Sequence, residues 1–140
     1  MIKNNITRLL ALFAATFSAL SLTSCLYAPK ELDSLDNTLV AYERAIRWRN
    51  YNGARALQVK PMKVSDFKRQ RLKELRITSY RIIEKVIAPD YSKAELLVDI
   101  RYYYDKSAIE KVVTDRQLWL YDKKRNRWQL ESPFPDFKLY

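Results

Sequence analysis

The first regular pattern in the chain has a helical period. Apolar side chains recur at Leu35, Leu39, Tyr42 and Ile46, three or four positions apart. This spacing places them on one face of an amphipathic helix. The pattern therefore predicts a long helix that begins at residue 35. The helix should stop at Gly53, the single glycine of the chain, in a left-handed conformation.

Two shorter helices are expected after this one. The first covers residues 54–58, directly behind the glycine. The second covers residues 65–75, where the Ser65 hydroxyl would accept a hydrogen bond as the N-cap.

Beyond the helices the period falls to two. Residues 94–105 alternate between apolar and polar side chains, which predicts a long half-buried strand. Residues 77–88 and 109–121 are rich in β-branched and aromatic residues, and Trp128 and Leu130 belong to a short fourth strand. The intervening segments have hairpin length, so we expect an antiparallel meander.

This order of elements, helices first and an antiparallel sheet afterwards, defines an α+β domain over residues 32–135. Within residues 109–121 the apolar side chains change face between Val112 and Trp119, which predicts a β-bulge in that strand. Residues 136–140 form a C-terminal tail. Its aromatic residues are expected either to fold back over the domain or to face a partner.

The N-terminus has the organisation of an export signal. A basic beginning is followed by an uncharged, mostly apolar stretch over residues 9–22, which is shorter than the roughly 20 residues that a membrane-spanning helix needs. The stretch leads into a segment that resembles the lipobox of bacterial lipoproteins, formed by Leu22, Thr23, Ser24 and Cys25. The resemblance implies that residues 1–24 are cleaved, that Cys25 is acylated, and that residues 25–31 form a lipidated tether.

The residue after the cysteine bears on the destination. It is Leu26 and not the aspartate that retains enterobacterial lipoproteins in the inner membrane, so the resemblance to that sorting rule favours the outer membrane. We therefore expect a domain that is anchored by its lipid and faces the periplasm.

Composition excludes several kinds of site. The chain has 26 Lys and Arg against 16 Asp and Glu, no His and one Cys, for a net charge of +10. Without His, neither a His-based triad nor a typical zinc site can be built, and we expect no cofactor and no metal. Loss of the signal lowers the net charge to +8 and places it in the periplasm, which argues against a nucleic-acid partner.

The run Ala41-Tyr42-Glu43-Arg44-Ala45-Ile46-Arg47-Trp48-Arg49-Asn50-Tyr51-Asn52-Gly53-Ala54 resembles the helical opening of the nuclear-transport-factor-2-like, or cystatin-like, superfamily. The segments 117–119, 128–130 and 133–135 resemble small bacterial lipoproteins of that group. The resemblance implies a cone in which the long helix lies across a strongly curved sheet, with a cavity at its open end.

Membership in this superfamily raises the question of catalysis, because ketosteroid isomerase and scytalone dehydratase place acids, tyrosines and often histidine inside the cone. Here histidine is missing, and the strand acids alternate opposite an apolar face, as on a solvated sheet. The candidate cavity residues are Tyr42, Trp48, Tyr80, Tyr102, Tyr104 and Trp119. The strand acids are Glu84, Glu95, Asp99, Glu110 and Asp115. Buried tyrosines are more often part of a core than catalytic, so an isomerase-like or dehydratase-like enzyme, or a carrier, is the alternative.

Two basic clusters are candidates for binding. Residues 60–76 have a net charge of +5, and the predicted hairpin tip at residues 123–127 forms the second cluster. The candidate patch for an anion or a partner consists of Lys68, Arg69, Arg71 and Lys73. Anionic lipid or an envelope protein would suit it, whereas a solvated helix face is the other interpretation.

These observations predict a lipid-anchored envelope lipoprotein whose domain binds or assembles with a partner and performs no catalysis. A structural component of an envelope or secretion complex is a further alternative.

Overall fold

The computed structural model describes residues 29–61 and 63–138. The predicted signal, the lipobox with Cys25, and Tyr140 lie outside these residues. Three helices precede four strands: α1 Lys30–Arg47, α2 Tyr51–Ala56, α3 Asp66–Lys73, β1 Leu75–Ile87, β2 Lys93–Tyr104, β3 Lys111–Asp122 and β4 Arg127–Leu130. The predicted α+β class is confirmed.

Helix α1 begins five residues before the predicted position, and this boundary was wrong. Its first turn continues the apolar stripe through one residue, the half-buried Leu32. The turn is held because the Pro29 carbonyl accepts from the Leu32 amide at 2.8 Å, and because Glu31 and Asp33 place negative charge near the helix N-terminus.

The prediction for Gly53 was also wrong. The left-handed residue behind α1 is Arg49, with φ of 60°, and the glycine lies inside α2. The Gly53 amide donates to Asn50 Oδ1 at 3.0 Å, which caps α2. A Cβ atom at position 53 would lie 2.6 Å from Nδ2 of the Asn50 side chain, so a larger residue here would displace the side chain that caps α2.

The Ser65 cap is confirmed, since its hydroxyl accepts from the Lys68 amide at 3.3 Å. Helix α3 ends at Lys73, two residues before the predicted end, because Leu75 already pairs with Tyr104 as the first residue of β1.

The sheet is the predicted antiparallel meander, with spatial order β1-β2-β3-β4. The bulge predicted for β3 is absent from its pairing with β2, which runs without a shift from Tyr102↔Lys111 to Lys93↔Leu120. Val112 and Trp119 face opposite sides through ordinary alternation. The irregularities lie in β1, where single extra residues interrupt the register at Thr78 and Ile83.

Helix α1 packs its apolar stripe against one face of this sheet. Its N-terminal end lies beside β4, where Trp128 Nε1 donates to the Glu31 carbonyl at 2.8 Å. Its C-terminal end lies at the opposite end of the sheet, where the Arg49 guanidinium donates to the Lys73 carbonyl at 3.2 Å. The molecule therefore has two ends, the hairpin end with the turns 88–92 and 123–126, and the helical end with α2 and α3. Within the described ranges, no helix is both long and apolar enough to cross a membrane.

Candidate functional site

Two of the six cavity candidates meet at the centre of the core. Tyr42 from α1 and Trp119 from β3 are both fully buried, and their rings contact edge to face with 5.3 Å between centroids. These rings fill the space between α1 and the sheet at this point.

A chain of polar groups extends from this contact. Gln117 accepts from Trp119 Nε1 at 3.1 Å and donates to the Tyr80 hydroxyl at 3.0 Å and to Asp115 Oδ2 at 2.8 Å. Burial raises the pKa of Asp115, and the hydrogen bond from Gln117 opposes this effect. The Tyr42 hydroxyl is buried nearby without a hydrogen-bond partner among the described residues. Gln117 was not predicted as an interior residue, although it lies on the same side of β3 as Trp119.

Tyr102 and Tyr104 lie apart from this centre, at the helical end. Their hydroxyls donate to the carbonyls of Lys138 and Phe137, each at 3.1 Å. Phe137 also packs edge to face on Tyr102, with 5.1 Å between the ring centroids. The two tyrosines thus hold the C-terminal tail against the domain. Of the two arrangements expected for the tail, this is the one in which it folds back over the domain.

Trp48 does not line the interior. Its side chain is 79% exposed at the C-cap of α1, because the helix turns its apolar stripe away from that position. The prediction of an interior Trp48 was wrong.

The four residues of the basic patch do not form one surface. They lie on two different faces of helix α3, because successive side chains of a helix point about 100° apart. Arg69 and Lys73 face a groove between α3 and α2, whereas Lys68 and Arg71 face a groove between α3 and the C-terminal tail.

We call the first of these depressions the basic groove. It encloses about 240 Å³. Its lining residues are Arg49, Asn50, Tyr51, Asn52, Arg55, Val64, Arg69, Leu72, Lys73 and Phe134. Four of them are cationic and none is acidic, while the aromatic and aliphatic members provide an apolar base.

Two of its cations, Arg49 and Arg55, were missed by the sequence analysis. They lie on either side of the α1–α2 junction, and the turn at Arg49 brings them to the end of α3. Among the described residues, neither of them forms an ion pair. The nearby acid Glu74 is engaged elsewhere, by Arg71 at 3.5 Å and Lys106 at 3.2 Å.

Two residues that line the basic groove carry a buried polar atom without a partner among the described residues, and these atoms are the Tyr51 hydroxyl and Arg55 Nε. The Tyr51 ring is fixed by an edge-to-face contact with Phe134, with 5.8 Å between centroids. Burial raises the pKa of Tyr51 above its usual value, and its hydroxyl is a hydrogen-bond donor at neutral pH.

The second depression, the tail groove, is larger and more balanced in charge. It encloses about 460 Å³, and Asp136 lies among its cations. The Arg71 guanidinium lies over the Tyr104 ring, 5.4 Å from the centroid, which is a cation–π contact. This arginine therefore stabilises the fold as well as contributing charge.

No group of three or more acidic or cysteine side chains in the described part of the chain could hold a metal ion. Comparisons of the chain with protein-family models, with curated proteins and with solved structures find no match.

Proposed function

We propose that this protein is a lipid-anchored lipoprotein of the bacterial outer membrane, with a non-catalytic binding domain that faces the periplasm. The lipobox-like segment ending in Cys25 supports the anchor. The long helix across an antiparallel meander supports a nuclear-transport-factor-2-like domain, in which the sheet would curve as a cone.

The observation that carries the binding function is the basic groove. Arg49, Arg55, Arg69 and Lys73 converge there with no acid in the lining. Arg69 is paired with Asp66 at 3.1 Å on the exposed surface, and the other three cations form no ion pair with a described residue. Like charges that converge repel one another, and an anionic group bound between them relieves this repulsion.

The position of the groove suits a partner from the periplasm. The described chain begins at Pro29 beside α1, four residues after Cys25. At 1.5 Å per residue, the 18 residues of α1 span about 27 Å from there to the helical end. The groove therefore lies at the end of the domain remote from the proposed anchor.

The enzyme or carrier alternative has less support. A catalytic carboxylate would need to reach a tyrosine and an open cavity, but the Asp115 carboxylate is bonded to Gln117. The neighbouring Tyr42 and Trp119 rings pack directly against each other.

The anchor is tested by the variant Cys25→Ser. We expect it to leave the membrane fraction and to appear in the soluble fraction, because it lacks the thiol that the lipid would occupy. Fractionation of cell envelopes after a high-salt wash measures this, with Lys124→Gln in the 123–126 turn as a control for loss of surface charge. If Cys25→Ser still sediments with membranes after the wash, lipidation is not what anchors the protein.

A further inference from the structure

The residues that line the basic groove include hydrogen-bond donors that have no acceptor in the described part of the chain. Two residues that line the groove, Tyr51 and Arg55, each carry a buried polar atom, the hydroxyl and Nε, that has no partner among the described residues. Leaving such donors unpaired is unfavourable, and an acceptor bound in the groove would remove this cost when the two side chains rotate towards it. Both residues belong to one short helix, α2, so their backbone positions are fixed relative to each other before any ligand arrives.

The charge of the groove indicates what kind of acceptor fits. A carboxylate carries one charge and two oxygens, whereas a phosphate monoester carries close to two charges and three terminal oxygens. Guanidinium groups bind phosphate oxygens in pairs. The groove contains Lys73 and two arginines, Arg49 and Arg55, that form no ion pair with a described residue. These three positive charges match a dianion better than a monoanion.

The base of the groove indicates the remainder of the ligand. Leu72 and Phe134 are themselves buried, and Phe134 fixes the Tyr51 ring by an edge-to-face contact. The apolar surface open to a ligand belongs to the half-buried side chains of Tyr51 and Val64. An apolar group attached to the phosphate would displace water from these side chains, which favours binding. Free inorganic phosphate would leave this surface wet.

We propose that the basic groove binds a phosphate monoester that carries an apolar group, with Arg49, Arg55, Lys73 and the Tyr51 hydroxyl as its donors. This inference rests on the proposed binding function and assigns its ligand chemistry. A phosphorylated lipid headgroup and a soluble monoester share this chemistry.

The test is a titration of the full chain, purified in detergent, with phenyl phosphate as the probe and calorimetry as the readout. Phenylacetate, which has the same ring but a carboxylate, is the matched ligand control. We expect saturable binding of phenyl phosphate and at least tenfold weaker binding of phenylacetate. Equal affinities for the two would overturn the assignment of phosphate.

Matched variants locate the site. Lys73→Gln and Tyr51→Phe are expected to weaken phenyl phosphate binding by about tenfold, the effect of losing one charge-assisted hydrogen bond. Lys124→Gln, which removes the same charge at the hairpin end, should bind as the wild type does. Lys73 is exposed, so its substitution leaves the fold intact. Equal affinity of Lys73→Gln and Lys124→Gln would overturn the proposal.

Vesicles separate the two sources of the ligand. If the protein binds vesicles that contain phosphatidic acid, and Lys73→Gln weakens this binding, the ligand is a lipid headgroup. If the protein binds phenyl phosphate but not the vesicles, the ligand is a soluble monoester. Absence of both overturns the proposal. Because calorimetry in detergent does not depend on where the protein resides, its result is distinguishable from failure of the Cys25 anchor.

Discussion

Burial and hydrogen bonding act in opposite directions on the Asp115 carboxyl group. Its position in β3 places it on the inward side of the strand, where loss of solvent raises its pKa. The hydrogen bond from Gln117 at 2.8 Å favours the ionised form and offsets part of this cost. The net direction is upward, so the ionised carboxylate at neutral pH destabilises the fold.

The variant Asp115→Asn should therefore be more stable than the wild type at pH 7. A raised pKa means that the folded state binds the proton more tightly than the unfolded state does. Wild-type stability then falls as pH rises from the unfolded value, 3.8, through the raised folded value. Asparagine carries no charge and can still accept from Gln117.

Urea unfolding at several pH values measures this difference. We expect the gain in the free energy of unfolding to be present at pH 7 and to vanish at pH values below the titration of the unfolded carboxyl group. A variant that is less stable than the wild type at pH 7 would show that the charged form is stabilised by its surroundings.

At the α1–α2 junction, one strained residue, Arg49, determines how two helices are placed relative to each other. Arg49 adopts φ of 60°, a region that costs L-residues about 1–2 kcal/mol. This conformation reverses the chain between α1 and α2, which places Arg49 beside Lys73 and Arg55 on the wall of the basic groove. Strain of this kind is typical of functional sites.

Comparison of Arg49→Gly with Arg49→Ala isolates this strain. Both variants remove the guanidinium and its bond to the Lys73 carbonyl, but only glycine accepts the left-handed conformation without cost. We expect Arg49→Gly to exceed Arg49→Ala by about 1 kcal/mol in the free energy of unfolding, measured by chemical denaturation. Equal stabilities would mean that the junction relaxes out of the left-handed region.

The elements themselves follow closely from sequence patterns, and their ends do not. The apolar stripe of α1 and the alternation of β2 predicted both elements, because burial of one face determines them. The predicted start of α1 was too late because it left out Leu32, which continues the stripe into the first turn. The role of Gly53 depends on the distance to the Asn50 side chain, a contact that periodicity does not encode.

At the scale of the molecule, the two ends of the domain differ in what the sequence could reveal. The charged residues of α3 are visible as a basic run, but their division between two grooves depends on the helix orientation. The convergence of Arg49, Arg55 and Lys73 depends on the packing of three elements. Tyr102 and Tyr104 lie on the inward side of β2, but they contact the C-terminal tail and not the polar groups around Trp119. The reason is that β2 extends beyond the centre of the core to the helical end.

The arrangement of the whole molecule places a proposed anchor at one end of α1 and the basic groove at the other. The anchor would keep the protein in the envelope, and the groove would bind a ligand or partner about a helix length away. Both parts are needed for a lipoprotein that acts as a binding module.

Site-directed photo-crosslinking in intact cells tests this account most directly. A photoreactive residue replaces Asn52 in the basic groove of one variant and Asp90 in the turn at the hairpin end of another. We predict that the probe at position 52 forms a discrete adduct, which mass spectrometry identifies. The added substitution Lys73→Gln should diminish this adduct, and the probe at position 90 should not form it. Identical adducts from both positions, or an adduct at position 52 that Lys73→Gln leaves unchanged, would contradict the basic groove as the binding surface of this protein.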